Sequence, residues 1–419
     1  MDLILKNIGL LATPTGSEAK KGEEQREILL IPDAEIGISD GKIIYVGKQR
    51  NHRPPASSAS NHTQTIDCGG RLVTPGLIDA HTHLVFGGWR QKELALKLEG
   101  KSYLDILKSG GGILNTVGHT RAASEAELIE KGKTLLSEML QLGVTTCEAK
   151  SGYGLSTEDE LKQLRVIRAL DKAQPIDIVP TFMGAHAIPK EYKDDREGYI
   201  ELLINEMLPA VAKEQLAEFC DIFCETAVFT TDESKRILLE AKKHGMTPKI
   251  HADEIDPIGG AEVAAQCGAI SAEHLIQTSD EGIQALANQN VIAILLPSTS
   301  FYLDKPYARA RNMITAGVAV AVASDFNPGS SPSLNMQLTM NLACLKYKMT
   351  PAEVLTAATL NGAAAINRAK THGSLEPGKI ADIVIWDAHD LEYIFYRYGS
   401  NLVHTVVKSG VVKWEQRAP

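Results

Sequence analysis

The chain has 419 residues, 44% of them hydrophobic and 23% charged, a balance that excludes a disordered or fibrous polypeptide and leaves two or three domains, or one large barrel with an appendage. Lys and Arg number 43 against 52 Asp and Glu, a net charge of −9 with no clustered basic stretch, which argues against nucleic-acid binding and means that an anionic substrate would need a local cation. The cysteines form no Cys-x-x-Cys pair, the start lacks a signal-peptide pattern, and no run of about 18 apolar residues occurs, so a protein of the reducing cytoplasm without membrane span, disulfide framework or zinc knuckle is expected.

The first 72 residues read as short β segments: Leu3–Ile8, Ala34–Ile38, Lys42–Gly47 and Arg71–Val73, with the polar stretches Thr13–Gln25 and Gln49–Gln64 as loops. Residues 73–373 alternate apolar runs with helical spacers. The runs are Pro75–His83, Thr145–Lys150, Asp177–His186, Cys220–Glu225, Pro248–Asp253, Ala269–His274, Val291–Pro297 and Val318–Asp325. Spacers such as Glu125–Leu140, Thr157–Leu170, Glu233–His244 and Gly259–Gly268 have helical character. Eight strands with crossover helices are the count of a (β/α)8 barrel, an α/β fold; a doubly wound sheet is disfavoured because no Gly-rich phosphate turn follows the first strand. From 374 to 419 the chain returns to β segments, Ala381–Trp386 and Val403–Trp414. The two β-rich ends, neither able to bury a core alone, are expected to pair into one small β-sandwich.

In such a barrel the chemistry lies at the C-terminal strand ends. Five of the twelve histidines fall there: His81, His83, His186, His251 and His274. His81 and His83 are two apart, so on a strand both side chains leave the same face. His251 and Asp325 end two other strands and complete an N3O donor set, which suits zinc or another first-row ion such as iron. Cys220 and Cys224 read as packed core thiols.

Two segments carry a resemblance. Pro75-Gly-Leu-Ile-Asp-Ala-His-Thr-His is similar to the first-strand signature of the amidohydrolase superfamily, and Gly373-Ser-Leu-Glu-Pro-Gly-Lys-Ile-Ala-Asp-Ile-Val-Ile-Trp-Asp resembles the return of those chains to their β-sandwich. Val85-Phe-Gly-Gly-Trp-Arg90, Gly110-Gly-Gly-Ile-Leu-Asn-Thr-Val, Glu148-Ala-Lys-Ser-Gly-Tyr-Gly154, His251-Ala-Asp-Glu254 and Ser324-Asp-Phe-Asn-Pro-Gly-Ser330 narrow it to the members that open an imidazolone ring in histidine degradation. The resemblance covers essentially the whole chain. It implies hydrolysis of 4-imidazolone-5-propanoate to N-formimidoyl-L-glutamate by a homodimer.

It also implies roles. Asp325 takes the proton of the attacking water, His274 orients that water or stabilises the oxyanion, and Glu254 carries a proton to the leaving ring nitrogen. Arg90 grips the propionate, with Tyr153, His186, Asn327, Gly329 and Ser330 as further contacts and Tyr103 a weaker candidate. Glu254 could instead be an exposed loop acid or helix N-cap. Binuclear relatives place a carboxylated lysine at the end of strand four, and residues 215–229 contain no lysine. One metal ion per chain is therefore expected, held by His81, His83, His251 and Asp325, with Lys150 on strand two an ordinary surface cation or a supporting one. An aminohydrolase acting on a guanine-like or triazine-like ring would share this site without needing Arg90. A non-catalytic degenerate barrel would have lost ligands that are intact here.

Overall fold

The computed structural model describes residues 1–49, 63–100 and 111–416. Two eight-stranded sheets organise them. One is built from both chain ends: β1 (Leu3–Thr13), β2 (Leu29–Ser39), β3 (Lys42–Lys48), β4 (Gln64–Asp67), β5 (Leu72–Pro75), then β14 (Ile383–Trp386), β15 (Val403–Lys408) and β16 (Val411–Glu415). Its order is β16-β15-β14-β5-β1-β2-β3, with β4 also on β1. The two ends meet where β5 pairs antiparallel with β14, Val73 opposite Ile385. Leu5, Ile36, Ile38, Val73, Ile383, Ile385 and Val407 form one shared apolar core, which is why neither end needs a core of its own.

The second sheet holds β6 (Leu77–Asp79), β7 (Val144–Lys150), β8 (Asp177–Ala185), β9 (Phe219–Cys224), β10 (Thr247–Ala252), β11 (Ser271–His274), β12 (Ile292–Leu295) and β13 (Val320–Val322), paired in sequential order and all parallel. The ring closes just beyond the ends of β6 and β13. There the Asp325 N–H donates to His81 O (3.1 Å), the His83 N–H donates to Phe326 O (2.8 Å), and Thr82 bridges Phe326 in parallel. The apolar runs at 75–83 and 318–325 yield only three-residue strands because the chain leaves the ladder to form this seam. Helices fill the spacers, among them Glu125–Gln141, Thr157–Ala173, Thr231–Lys243 and Gly260–Cys267. The first of these starts in a capping box, Ser124 with Glu127, as its sequence favours.

Two sequence expectations change. Thr13–Gln25 is not all loop: β1 runs to Thr13, and a helical turn spans Gly22–Arg26. Its Gln25 is buried, donating to Val320 O (3.0 Å) and Glu353 O (3.2 Å), so a polar segment is satisfied by tertiary hydrogen bonds at the barrel base. β4 occupies a stretch whose polar composition hid it, and of the loop expected over 49–64, residues 50–62 lie outside the described residues. All six cysteines are unpaired, and Cys220 and Cys224 are buried. Among the described residues no helix is long and apolar enough to cross a membrane.

Candidate metal centre and substrate pocket

Rather than scattering the expected ligands, the barrel brings them to one rim. One donor atom each of His81, His83 and His251 lies within 4.8 Å of the others, and the same holds for His81, His274 and Asp325. Asp325 Oδ1 is 3.5 Å from His81 Nε2 and 3.7 Å from His83 Nε2. All five side chains are buried. Backbone strain aims two of them: Asp325 (φ 52°) and His274 (φ 68°) both occupy the left-handed region, which turns each side chain inward where its strand ends.

These residues fit a metal ion, and the reason is unsatisfied lone pairs. Both ring nitrogens of His81, Nδ1 of His83, Nε2 of His251 and Nδ1 of His274 are buried without a hydrogen-bond partner. A buried polar atom left so costs roughly 1–3 kcal/mol, and each neutral imidazole carries one lone pair, so His81, His83, His251 and His274 can each offer one donor to an ion. The other His251 nitrogen, Nδ1, is 3.1 Å from Asp221 Oδ1. A proton on Nδ1 donated to that carboxylate leaves the Nε2 lone pair facing the cluster. Thr299 Oγ1 donates to Asp325 Oδ2 at 2.5 Å and leaves Oδ1 to the imidazoles.

Burial drives the titration of the cluster. Burial, with neighbouring cations adding, holds His81, His83 and His274 well below the usual imidazole range. Burial pulls His251 down too, but the Asp221 carboxylate outweighs it and its pKa is raised. Burial pushes Asp325 up to about 6, opposed by the Thr299 hydrogen bond. Glu254 is pushed up to about 8, by burial and then by the charge of Asp325.

Glu254 is no exposed loop acid: its Oε1 lies 3.7 Å from His274 Nδ1. The helix-capping role falls to its neighbour Asp253, whose carboxylate accepts the N–H groups of Gly259, Gly260 and Ala261. Tyr153 and His186 stand on the other side. His186 stacks on His83 (centroids 4.9 Å apart, 16° between planes), and Tyr153 sits 5.3 Å from His186 and 5.8 Å from His83. His186 Nδ1 is held 3.0 Å from Gly152 O. Glu160 shapes that loop by accepting the N–H groups of Gly152, Gly154 and Leu155.

Arg90 follows β6 in a loop clamped by Lys131, whose ammonium donates to Phe86 O (3.1 Å) and Gly88 O (2.6 Å) and lies 3.5 Å over the Phe86 ring. Glu93 takes the guanidinium in a fork, Nε at 2.9 Å and Nη2 at 2.8 Å. The Nη1 side rests on Gly329, where a Cβ would collide with it. The Asn-Pro-Gly turn beside it is ordered from within. The Gly329 and Ser330 N–H groups donate to Asn327 Oδ1 (2.8 and 2.7 Å), so Asn327 orders the turn and these donors point inward to it. Tyr103 lies outside the described residues.

Sequence reasoning missed the layer beneath the rim. Lys150 is fully buried, not a surface cation; its ammonium is 2.8 Å from Glu148 Oε2 and 2.7 Å from Asp221 Oδ2. A lysine so paired is not the carboxylated lysine of a two-metal site. Lys249 lies 2.9 Å from Glu148 Oε1 and 3.5 Å from Glu273 Oε1, both also fully buried. The signal was present: Glu148 and Lys150, like Lys249 and His251, are two apart on a strand and share the inward face.

Comparison with known proteins matches residues 72–413 to the model of the amidohydrolase family. Curated imidazolonepropionases are close in sequence: that of Bacillus cytotoxicus is 52% identical over 412 residues, 98% of this chain and 96% of that one. The Bacillus velezensis protein is 53% identical over 411 residues, again covering 98% and 96%. Among solved structures, Escherichia coli guanine deaminase superposes with a TM-score of 0.75 at 14% identity, covering 99% of both chains. A Xanthomonas campestris adenosine deaminase with bound zinc gives 0.71 at 20%, covering 99% of this chain and 93% of that one; at such identities these two share the fold alone. Fold, full-length sequence match and rim geometry agree, and the chain belongs to the amidohydrolase family, on its imidazolonepropionase branch.

Proposed function

We propose that this chain is a metal-dependent hydrolase that opens the cyclic amide of 4-imidazolone-5-propanoate, giving N-formimidoyl-L-glutamate in histidine degradation. The observation that carries the reading is the cluster of partnerless buried imidazole nitrogens around Asp325, with a fixed arginine fork in the adjoining loop. In a chain about half identical to imidazolonepropionases, that pairing of a Lewis-acid site with a guanidinium held in place by Glu93 fits a ring amide bearing an anionic tail.

On this reading His81, His83, His251 and Asp325 hold one zinc or iron ion, which when bound supplies Lewis acidity and lowers the pKa of water towards about 7. Asp325 receives the proton of the attacking water. His274, neutral, orients that water or donates to the developing oxyanion. Glu254, whose burial favours the protonated acid, delivers a proton to the departing ring nitrogen. Arg90 binds the propionate, and Tyr153, His186, Asn327, Gly329 and Ser330 complete the pocket. Residues 73–373 form the catalytic unit, and 1–72 with 374–419 the β module that braces its base. The active protein is a cytoplasmic homodimer.

The test is incubation of the purified protein with fresh 4-imidazolone-5-propanoate, with and without a chelator, following loss of the ring chromophore and, in parallel, ammonia. Chelator-sensitive ring opening without ammonia is the expected result. Ammonia release would instead establish an aminohydrolase.

A further inference from the structure

The barrel interior holds five charged side chains with no access to solvent: Glu148, Lys150, Asp221, Lys249 and Glu273. Burying so many charges is costly unless each is paired, and they are joined in one chain of contacts. Thr181 adds a 2.5 Å hydrogen bond to Glu148, and Ser271 a 2.6 Å one to Glu273. Of the two cations, only Lys150 touches Asp221 (2.7 Å). Asp221 in turn touches His251, and its Oδ1 is pinned by the N–H of Ile222 at 2.7 Å. Two anchors, one on each oxygen, therefore fix the plane of the carboxylate that faces His251 Nδ1.

We propose that Lys150 is a positioning residue of the metal centre, holding Asp221 so that the His251 lone pair at Nε2 faces the ion; this rests on the metal-ligand reading above. Lys249, equally buried and charged but in contact with Glu148 and Glu273 instead, serves the layer without that role. The pair gives the proposal an internal control. Each change to Met removes one buried ammonium at similar length, and both strain the fold, yet only one releases Asp221.

The test titrates Zn²⁺ into the purified full chain against a chromophoric chelator, with circular dichroism and thermal melting as folding checks. Lys150→Met should raise the zinc dissociation constant about 10- to 100-fold, the range seen when partners of metal-ligating histidines are lost. At saturating zinc its KM should stay within about 3-fold, because no substrate contact has changed. Its Co²⁺-substituted form should show altered ligand-field bands. Lys249→Met should leave zinc affinity within about 3-fold and the Co²⁺ bands unchanged. Should Lys150→Met fail to fold, Lys150→Leu removes the same ammonium without leaving a donor and is read the same way. Wild-type zinc affinity in a folded Lys150 variant, or equal weakening by both lysine changes, overturns the proposal. A His251→Ala chain that keeps wild-type zinc affinity would instead bring down the metal-ligand reading, so the two failures are distinguishable.

Discussion

Two clusters of histidine and aspartate, at opposite ends of the barrel, share a composition and differ in how their donors are satisfied. At the base, one donor atom each of Asp177, His372 and Asp382 lies within 4.8 Å of the others, the spacing also found among His81, His83 and His251 at the rim. In the basal cluster every donor has a partner. His372 Nε2 faces Asp177 Oδ2 at 3.0 Å, its Nδ1 faces Thr371 Oγ1 at 2.8 Å, and the Lys408 ammonium sits 2.6 and 2.7 Å from the two carboxylates. The protein has supplied its own cation there. At the rim the imidazoles are left with unpartnered lone pairs, and among the described residues no lysine is paired with them. Residue type and proximity do not distinguish a metal centre from a polar latch; hydrogen-bond satisfaction does.

The sharpest way to break this contrast is to remove a histidine from each. His251→Ala should lose the ion and lower kcat by on the order of 10³-fold or more, since the Lewis acid leaves with its ligand. His372→Ala should keep kcat within about 2-fold at 25 °C and instead lower the melting temperature, consistent with about 1–3 kcal/mol for a buried hydrogen-bonding group. Metal content and initial rates on both variants decide it, and equal inactivation would erase the distinction. Within the rim, Glu254→Gln separates proton delivery from metal binding: kcat should fall about 10²- to 10⁴-fold with metal content intact.

How far such a contrast is visible in the sequence depends on how each residue is placed. His81, His83, His251, His274 and Asp325 end apolar runs, and a parallel barrel sends the ends of its strands to one rim, so pattern alone located them. Asp221 lies inside Phe219–Cys224, where an acid in an otherwise apolar buried strand looks like an interruption rather than a support. Lys150 was ambiguous because burial, not residue type, decides whether a lysine is solvated. Thr299, which holds Asp325, follows β12 in a Ser/Thr stretch with no motif. The basal latch unites residues up to 231 positions apart in sequence, Asp177 with Lys408, and no periodicity encodes that. The barrel was legible because its alternation is local and repeated. The single mixed sheet was legible only as two ends in need of one another.

A smaller effect probes the loop that flanks the rim. Arg90→Ala should raise KM for 4-imidazolone-5-propanoate about 10- to 100-fold with kcat changed only a few-fold, because a tail contact made equally in ground and transition states is uniform binding. The same change should also leave Glu93 without its fork, although Glu93 keeps the Gly112 N–H at 2.7 Å. A normal KM would remove Arg90 from the pocket. A loss confined to kcat would mean that the arginine positions the reacting ring rather than the tail.

The smallest effect tests the latch by acid. Burial would raise the Asp177 carboxyl, but the His372 hydrogen bond and the Lys408 charge outweigh it and bring the pKa from 3.8 down to about 2. A carboxylate depressed in the folded state stabilises it fully above its unfolded value, and that contribution fades as pH falls through the folded value. The loss should therefore fall between about pH 4 and pH 2, and nothing should change near neutrality. Because the Asp177 side chain is 43% exposed, screening keeps the contribution modest. Asp177→Asn should flatten the acid-unfolding curve in that window relative to the parent chain while ring opening at pH 7 stays the same. If the curves are parallel throughout, the basal ion pairs add nothing to stability, and their satisfied geometry reflects packing of the β module against the barrel rather than electrostatic attachment.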